Sequence, residues 1–217
     1  MSEFFQIAID GPTASGKGTA AKGLARKLGF LCLDTGALYR GMTIYFLDNN
    51  LDASQSMDVA HAVRDADINV KCIEGNTFVF LNGENITPRL RENAVSNLAF
   101  TVAKVPEIRV KVREIQQSIA RRNNLVCEGR DIGSVVFPGA RFKFYITAAI
   151  DVRVKRRHME LLNRGEEVDV EKLTLQINQR DSADMNREHS PLKVCDDAVL
   201  IDASAMSAYD VIGVMAV

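Results

Sequence analysis

The sequence predicts an α/β fold: a parallel sheet layered between helices, with a small antiparallel β unit inserted and a helical cover near the end. Three observations carry this. Short apolar runs at residues 4–10, 30–33, 125–127, 142–147 and 198–201 alternate with longer amphipathic stretches, the rhythm of strands joined by crossover helices. The runs are apolar without strict alternation, as in strands covered on both faces. The first run passes at once into a glycine-bearing loop and then a helix pattern of Ala20, Ala21, Leu24, Ala25 and Leu28.

That first junction is the most informative stretch. Ile9-Asp10-Gly11-Pro12-Thr13-Ala14-Ser15-Gly16-Lys17-Gly18-Thr19 brings a strand end, a tight turn and a helix N-terminus to one point, the arrangement of a phosphate-binding loop. Gly11 and Gly16 permit backbone angles a Cβ would forbid. The amides of the loop then form an anion cradle strengthened by the helix dipole, and Lys17 adds a charge for the β- and γ-phosphates. The loop is therefore expected to bind a nucleoside triphosphate through Gly11, Pro12, Thr13, Ala14, Ser15, Gly16, Lys17, Gly18 and Thr19. The usual motif places Ser or Thr directly after the lysine; here Gly18 stands there and Thr19 follows. A Gly-Lys-Gly-Thr ending is typical of nucleotide kinases, and Thr19 is the expected Mg²⁺ hydroxyl. Glu128, at a strand end, is a further candidate through water.

The insert departs from the βα rhythm. Residues 68–73 and 77–81 flank Glu74-Gly75-Asn76, and Asn82-Gly83 follows, so this part reads as an antiparallel hairpin within a β unit of about 63–88. Thr87-Pro88 and Pro106-Glu107 are expected to open helices, proline being suited to a first helical turn. From about 151 to 187 two charged amphipathic helices, broken at Gly165, read as a mobile cover.

With 217 residues, 47% hydrophobic and 25% charged, the chain suits one globular domain with appendages. A formal net charge of −1 argues against a nucleic-acid coat or a polybasic membrane anchor. Cys32, Cys72, Cys127 and Cys195 form no C-x-x-C pair, which disfavours zinc and fits a reducing compartment. The start carries no basic-then-apolar leader and no run is long enough to span a bilayer, so the expectation is a cytoplasmic protein, and a monomer.

Arginines recur where strands end and helices begin. Arg40 follows Asp34-Thr35-Gly36-Ala37-Leu38-Tyr39, Arg109 follows Pro106, and Arg130 lies in Glu128-Gly129-Arg130-Asp131-Ile132-Gly133. Ligands of open parallel sheets bind beyond the carboxyl ends of the strands, where Arg40 and Arg130 fall in sequence order. Arg180, Asp184 and Arg187 are spaced i, i+4 and i+7, one helix face. Phosphoryl transfer needs such cations, because its transition state spreads negative charge over the moving group. No His-Arg-Asp or Asp-Phe-Gly block is present, so no protein-kinase base is expected. A phosphate acceptor, already anionic near neutral pH, requires none.

These blocks, with Ser190-Pro191-Leu192, resemble the nucleoside monophosphate kinase family and, within it, the bacterial cytidylate kinases, over nearly the whole chain. The resemblance implies ATP-dependent phosphorylation of CMP or dCMP with Mg²⁺. It implies a P-loop core at about 1–36, 88–150 and 188–217, a monophosphate-binding region at about 37–87, and a lid at about 151–187. By position it assigns Thr35, Arg40, Arg130 and Arg187 to the acceptor phosphate or sugar, Asp184 to the ribose, and Arg180 to the neighbourhood of the transferred group. Lys17, Arg130, Arg180 and Arg187 form the expected catalytic set. One of Lys155, Arg156 and Arg157 is expected to approach ATP, Arg157 in particular. Arg109 and Asp131 read the cytosine edge, and a carboxylate suits cytosine because it accepts from the exocyclic amine. Members often carry a serine near the base where alignment through Asn97 and Pro106 puts Phe100; Thr101 follows. A kinase for another nucleoside monophosphate and an ATP-gated binding module are the alternatives.

Overall fold

A computed structural model describes residues 4–73 and 76–216. The expected turn at Glu74-Gly75 and the end of the chain at Val217 lie outside them. In chain order the elements are β1 (Gln6–Asp10), α1 (Lys17–Leu28), β2 (Leu31–Asp34), α2 (Thr35–Asp48), α3 (Ser56–Asp65), β3 (Ile68–Ile73), β4 (Asn76–Leu81) and β5 (Glu84–Asn85). A 3₁₀ turn (Thr87–Arg91), α4 (Asn93–Val102), α5 (Pro106–Ala120), β6 (Leu125–Gly129), a π turn (Ile132–Val136), β7 (Phe142–Thr147), α6 (Ile150–Leu162), α7 (Val170–Met185), β8 (Val199–Asp202) and α8 (Ala208–Met215) follow. Two compact units divide the described residues: one drawn from 31–125, the other from 5–30 and 126–216.

In the first unit α2 is the hub. Leu38, Met42, Ile44 and Phe46 are fully buried and Tyr45 nearly so, which a helix apolar on most sides requires. Gly41 marks where the small sheet comes closest: a Cβ there would stand 3.3 Å from Ile68 and 3.4 Å from Ile86. The insert is a three-stranded antiparallel sheet, β3-β4-β5, rather than a lone hairpin. Val70 pairs with Val79, and Leu81 pairs with Glu84 across Asn82-Gly83. Both turn residues have positive φ, the backbone of a type I′ turn. Thr77 Oγ1 donates to the Cys32 carbonyl at 2.6 Å, and a forked Arg89–Asp48 pair at 2.8 and 2.6 Å ties the 3₁₀ turn to the end of α2. The β unit is narrower than 63–88, because α3 runs to Asp65 and the chain turns 3₁₀ at Thr87. Pro88 does sit in that first turn.

In the second unit β6, β1, β7 and β8 lie in that order. β1 and β8 both run parallel to β7, with Ile9 opposite Phe144 and Tyr145 opposite Leu200. Helices α1 and α8 pack closely: a Cβ on Gly23 would meet the Ile212 side chain at 2.1 Å. The helical pair α6 and α7 carries its own core of Val154, Leu161, Leu173 and Ile177, backed by Ile150 and Val168. Gly165, at φ 75°, closes the connection, and Asp169 caps α7 by accepting from Glu171 N and Lys172 N.

Candidate active site

The phosphate loop leaves the carboxyl end of β1, where ligands of open parallel sheets bind. Gly11 has φ 153°, and a Cβ would stand 2.1 Å from the Ile146 carbonyl oxygen. The turn is thus pressed onto β7 at a spacing only glycine allows. Gly16 takes a left-handed conformation, φ 94°, directly before α1. Lys17, 7% exposed, donates from Nζ to the Pro12 carbonyl at 3.1 Å, and lies 3.9 Å from Glu128 Oε2. Its charge therefore sits over the loop. Ser15 Oγ is buried with no hydrogen-bond partner, an orphan polar atom of the kind a bound polar group satisfies.

Three ionic residues from other elements converge on Thr13. Its N–H donates to Asp181 Oδ1 at 3.0 Å, its carbonyl accepts from Arg153 Nη1 at 3.1 Å, and its hydroxyl accepts from Arg130 Nη2 at 3.2 Å. Arg130 also donates through Nε to Asp184 Oδ2 at 2.8 Å, and the other oxygen of Asp184 pairs with Arg187. Asp184 is 4% exposed. One buried carboxylate thus braces two guanidinium groups and leaves the trio with a net positive charge. Helix α7 ends at Met185, so Arg187 reaches Asp184 from just beyond the helix, not from its face. Arg180 is exposed on α7.

Arg156 donates to the Ser15 carbonyl at 3.2 Å and to the Ala203 carbonyl at 2.7 Å. Arg157 pairs with Glu160 at 2.7 Å. Of these neighbours, then, it is Arg156 whose guanidinium lies on the loop. Arg153 and Asp181 have no place in the sequence-derived site; the one available signal is an arginine one turn before Arg156–Arg157 and an acid three residues before Asp184.

Asp131, 7% exposed, precedes the π turn. Asp10, at the end of β1, accepts from Ile132 N at 2.9 Å and Gly133 N at 2.8 Å, fixing the segment that follows Arg130 and Asp131. Burial pushes the Asp10 carboxyl up to about 6, against the pull of those two amides. Thr19 is exposed on α1. At Gly18 a Cβ would stand 3.4 Å from Glu128 Oε1, so a carboxylate lies beside the position where a hydroxyl is usual. Among the described residues no group of three or more His, Cys, Asp or Glu could hold a metal ion.

Thr35, Arg40 and Arg109 belong to the first unit. Thr35 is buried at the start of α2. Arg40 lies 3.8 Å from Asp34, above Gly36, where a Cβ would meet its Nη1 at 3.3 Å. Arg109, 8% exposed, donates to the Ala103 carbonyl at 3.0 Å and stands 5.6 Å from the Tyr39 ring centroid. Phe100 is half-buried beneath Lys104, whose Nζ is 4.0 Å from the ring centroid; Thr101 is exposed.

A glycine loop at a parallel strand's carboxyl end, a lysine over it and braced arginines beside it define a P-loop phosphotransferase of the small-molecule kinase class. Solved structures show the same fold. An uncharacterized protein from Eubacterium ventriosum aligns with TM-score 0.55 and 11% identity, covering 97% of this chain and 95% of that one. The shikimate kinase from Bacteroides thetaiotaomicron aligns with TM-score 0.50 and 13% identity over 97% and 96%. In sequence, the profile of the cytidylate kinase family matches residues 7–216. Proteins named cytidylate kinase from Caldicellulosiruptor saccharolyticus and Streptococcus gordonii are 40% and 41% identical, each over 95% of this chain and 91% and 92% of theirs. The chain belongs to the cytidylate kinase family.

Proposed function

We propose that this chain transfers the γ-phosphoryl group of ATP to CMP or dCMP, yielding ADP and CDP or dCDP. The observation that carries the reading is the Arg130–Asp184–Arg187 trio joined to the phosphate loop through Thr13, in a chain matched by the cytidylate kinase profile over residues 7–216. Lys17 and the loop amides take the donor phosphates. Arg130 and Arg187 take the acceptor phosphate, and Arg180 the moving group. An acceptor phosphate oxygen attacks the γ-phosphorus and the bond to the β-γ bridging oxygen breaks. The attacking oxygen is already ionised, so no side chain has to remove a proton. The guanidinium and ammonium groups hold the reactants in line and offset the charge on the transferred group.

Oxygen donors near Lys17 suit Mg²⁺: Glu128 stands beside Gly18 and Ser15 Oγ is unpartnered. Thr19 is the hydroxyl the motif nominates. Magnesium favours phosphate oxygens and water over all-protein cages; when bound, it neutralises charge on the β- and γ-oxygens. Arg109 and Asp131 would read cytosine. Cys32 and Cys127 are buried and outside any disulfide, which supports a reducing, cytoplasmic setting. No helix among the described residues is long and apolar enough to cross a membrane, and a monomer is the simplest working form. Initial rates of ADP release with CMP, dCMP, UMP and AMP test the assignment. CMP and dCMP should lead, and equal or faster turnover of AMP would reject it.

A further inference from the structure

We infer that Asp181 and Arg153 are positioning residues that set the phosphate loop against Arg130 by clamping the main chain of Thr13. The inference rests on the kinase reading for its consequence, though not for its geometry. Asp181 is 5% exposed and Arg153 9%. Asp181 Oδ1 accepts from Thr13 N, and its other oxygen pairs with Arg153 Nη1. The same Nη1 donates to the Thr13 carbonyl, while Arg153 Nε donates to the Ala148 carbonyl at 2.9 Å. Both main-chain polar groups of one loop residue are thus held by a single acid–base pair drawn from two helices, α7 and α6. The base is anchored in turn just past β7.

Three consequences follow. The Thr13 N–H is committed to a carboxylate, so the anion cradle is built from the amides after it. The clamp is neutral as a pair and adds no net repulsion toward phosphate. It also controls more than the loop, because the Thr13 hydroxyl meets Arg130, which Asp184 holds from the same helix as Asp181. Helix α7 therefore carries two buried carboxylates three positions apart, one fixing the loop and the other fixing the arginines. Their common backbone sets the register between donor cradle and acceptor cation.

The test separates positioning from plain stability. Asp181→Asn strands a buried guanidinium and should lower stability. The double variant Arg153→Met/Asp181→Leu removes both charges at similar bulk, an exchange buried pairs often tolerate, and releases Thr13. Asp181→Glu keeps the charge pair but shifts the carboxylate by one methylene; it serves as the decisive variant if the double variant does not fold. Urea unfolding reports the fold, calorimetry with a non-hydrolysable ATP analogue reports the loop, and initial rates report kcat and KM. In folded double-variant or Asp181→Glu protein, analogue affinity and kcat should each fall roughly 10- to 100-fold, the scale of an ångström-sized misplacement. A folded variant with wild-type analogue affinity and wild-type kcat would overturn the inference. The analogue titration is independent of the acceptor, so a wild type that phosphorylates no monophosphate would refute the functional reading without touching the clamp.

Discussion

The two loop glycines and their neighbour should respond to alanine in an order set by geometry alone. At Gly11 a Cβ would lie 2.1 Å from the Ile146 carbonyl oxygen, a backbone atom of β7 that cannot swing aside, and φ is 153°. Overpacking costs about 1–3 kcal/mol and a glycine-only backbone about as much again, so Gly11→Ala should destabilise by about 2–6 kcal/mol. At Gly16 the nearest heavy atom to a Cβ is 3.7 Å away. Only the left-handed backbone is strained, for about 1–2 kcal/mol. Gly18 lies inside α1 without a positive φ, and a Cβ there makes ordinary contact with Glu128 at 3.4 Å. Gly18→Ala should therefore stabilise by about 0.5–1 kcal/mol through the unfolded chain's lost freedom. Urea titrations followed by circular dichroism, with m unchanged, read the three values. If Gly11→Ala costs no more than Gly16→Ala, or if Gly18→Ala destabilises, the loop is not pressed onto β7 as described and the reasoning fails.

The Asp10 carboxyl, raised from 3.8 to about 6 by burial, favours its protonated form in the folded state. Its contribution is full below 3.8 and is lost as pH rises through about 6, a loss of about 3 kcal/mol. The stability of wild type relative to Asp10→Asn should fall by that order between pH 3.8 and 7, and a pH-independent difference would contradict it. Arg180→Ala should cut turnover by roughly 10³-fold or more if Arg180 serves the moving phosphoryl group. Near-normal rates with intact ATP binding would remove Arg180 from the transfer step. Asp131→Ala should shrink the rate preference for CMP over UMP by roughly 5- to 150-fold, the 1–3 kcal/mol of one base-reading pair, with ATP affinity little changed. Unaltered selectivity would remove Asp131 from base reading.

How much of this was legible follows from what each element owes to local sequence. The phosphate loop was legible because its shape is dictated within a dozen residues: the glycines, the lysine and the following helix pattern are adjacent in the chain. The strands were legible because their apolar runs are short and bounded, with edges off by a residue or two. Phe4 and Phe5 extend the first run but remain exposed at 39% and 37%, and β1 begins at Gln6. The first phenylalanines are apolar without being strand, since Phe5 stacks instead under the Arg141 guanidinium, 4.9 Å from its ring. The third strand of the insert is not legible in the sequence because Glu84–Asn85 is two polar residues long. Its existence comes from register across Asn82-Gly83, not from composition. The helix expected at Pro88 is interrupted, since Glu92 has extended ψ and divides a 3₁₀ turn from α4.

The site divides along the same line. Lys17, Arg130 and Asp184 stand in motifs whose neighbours announce them, whereas Arg153 and Asp181 act through a contact that spans 28 residues along the chain and a second that spans 168. Sequence spacing could place Arg180, Asp184 and Arg187 near one another; it could not say that Arg187 would reach back to Asp184 from beyond the helix, because that depends on where α7 stops. Arg156 and Arg157 make the limit plain. Adjacent in the chain and identical in chemistry, they point about a hundred degrees apart on a helix, so one lies on the Ser15 carbonyl and the other on Glu160. The residue that meets the loop is decided by the phase of α6, and that phase is fixed by the buried Val154–Leu161 face packing on Leu173 and Ile177. The apolar core of the helical pair thus selects which cation lies on the Ser15 carbonyl.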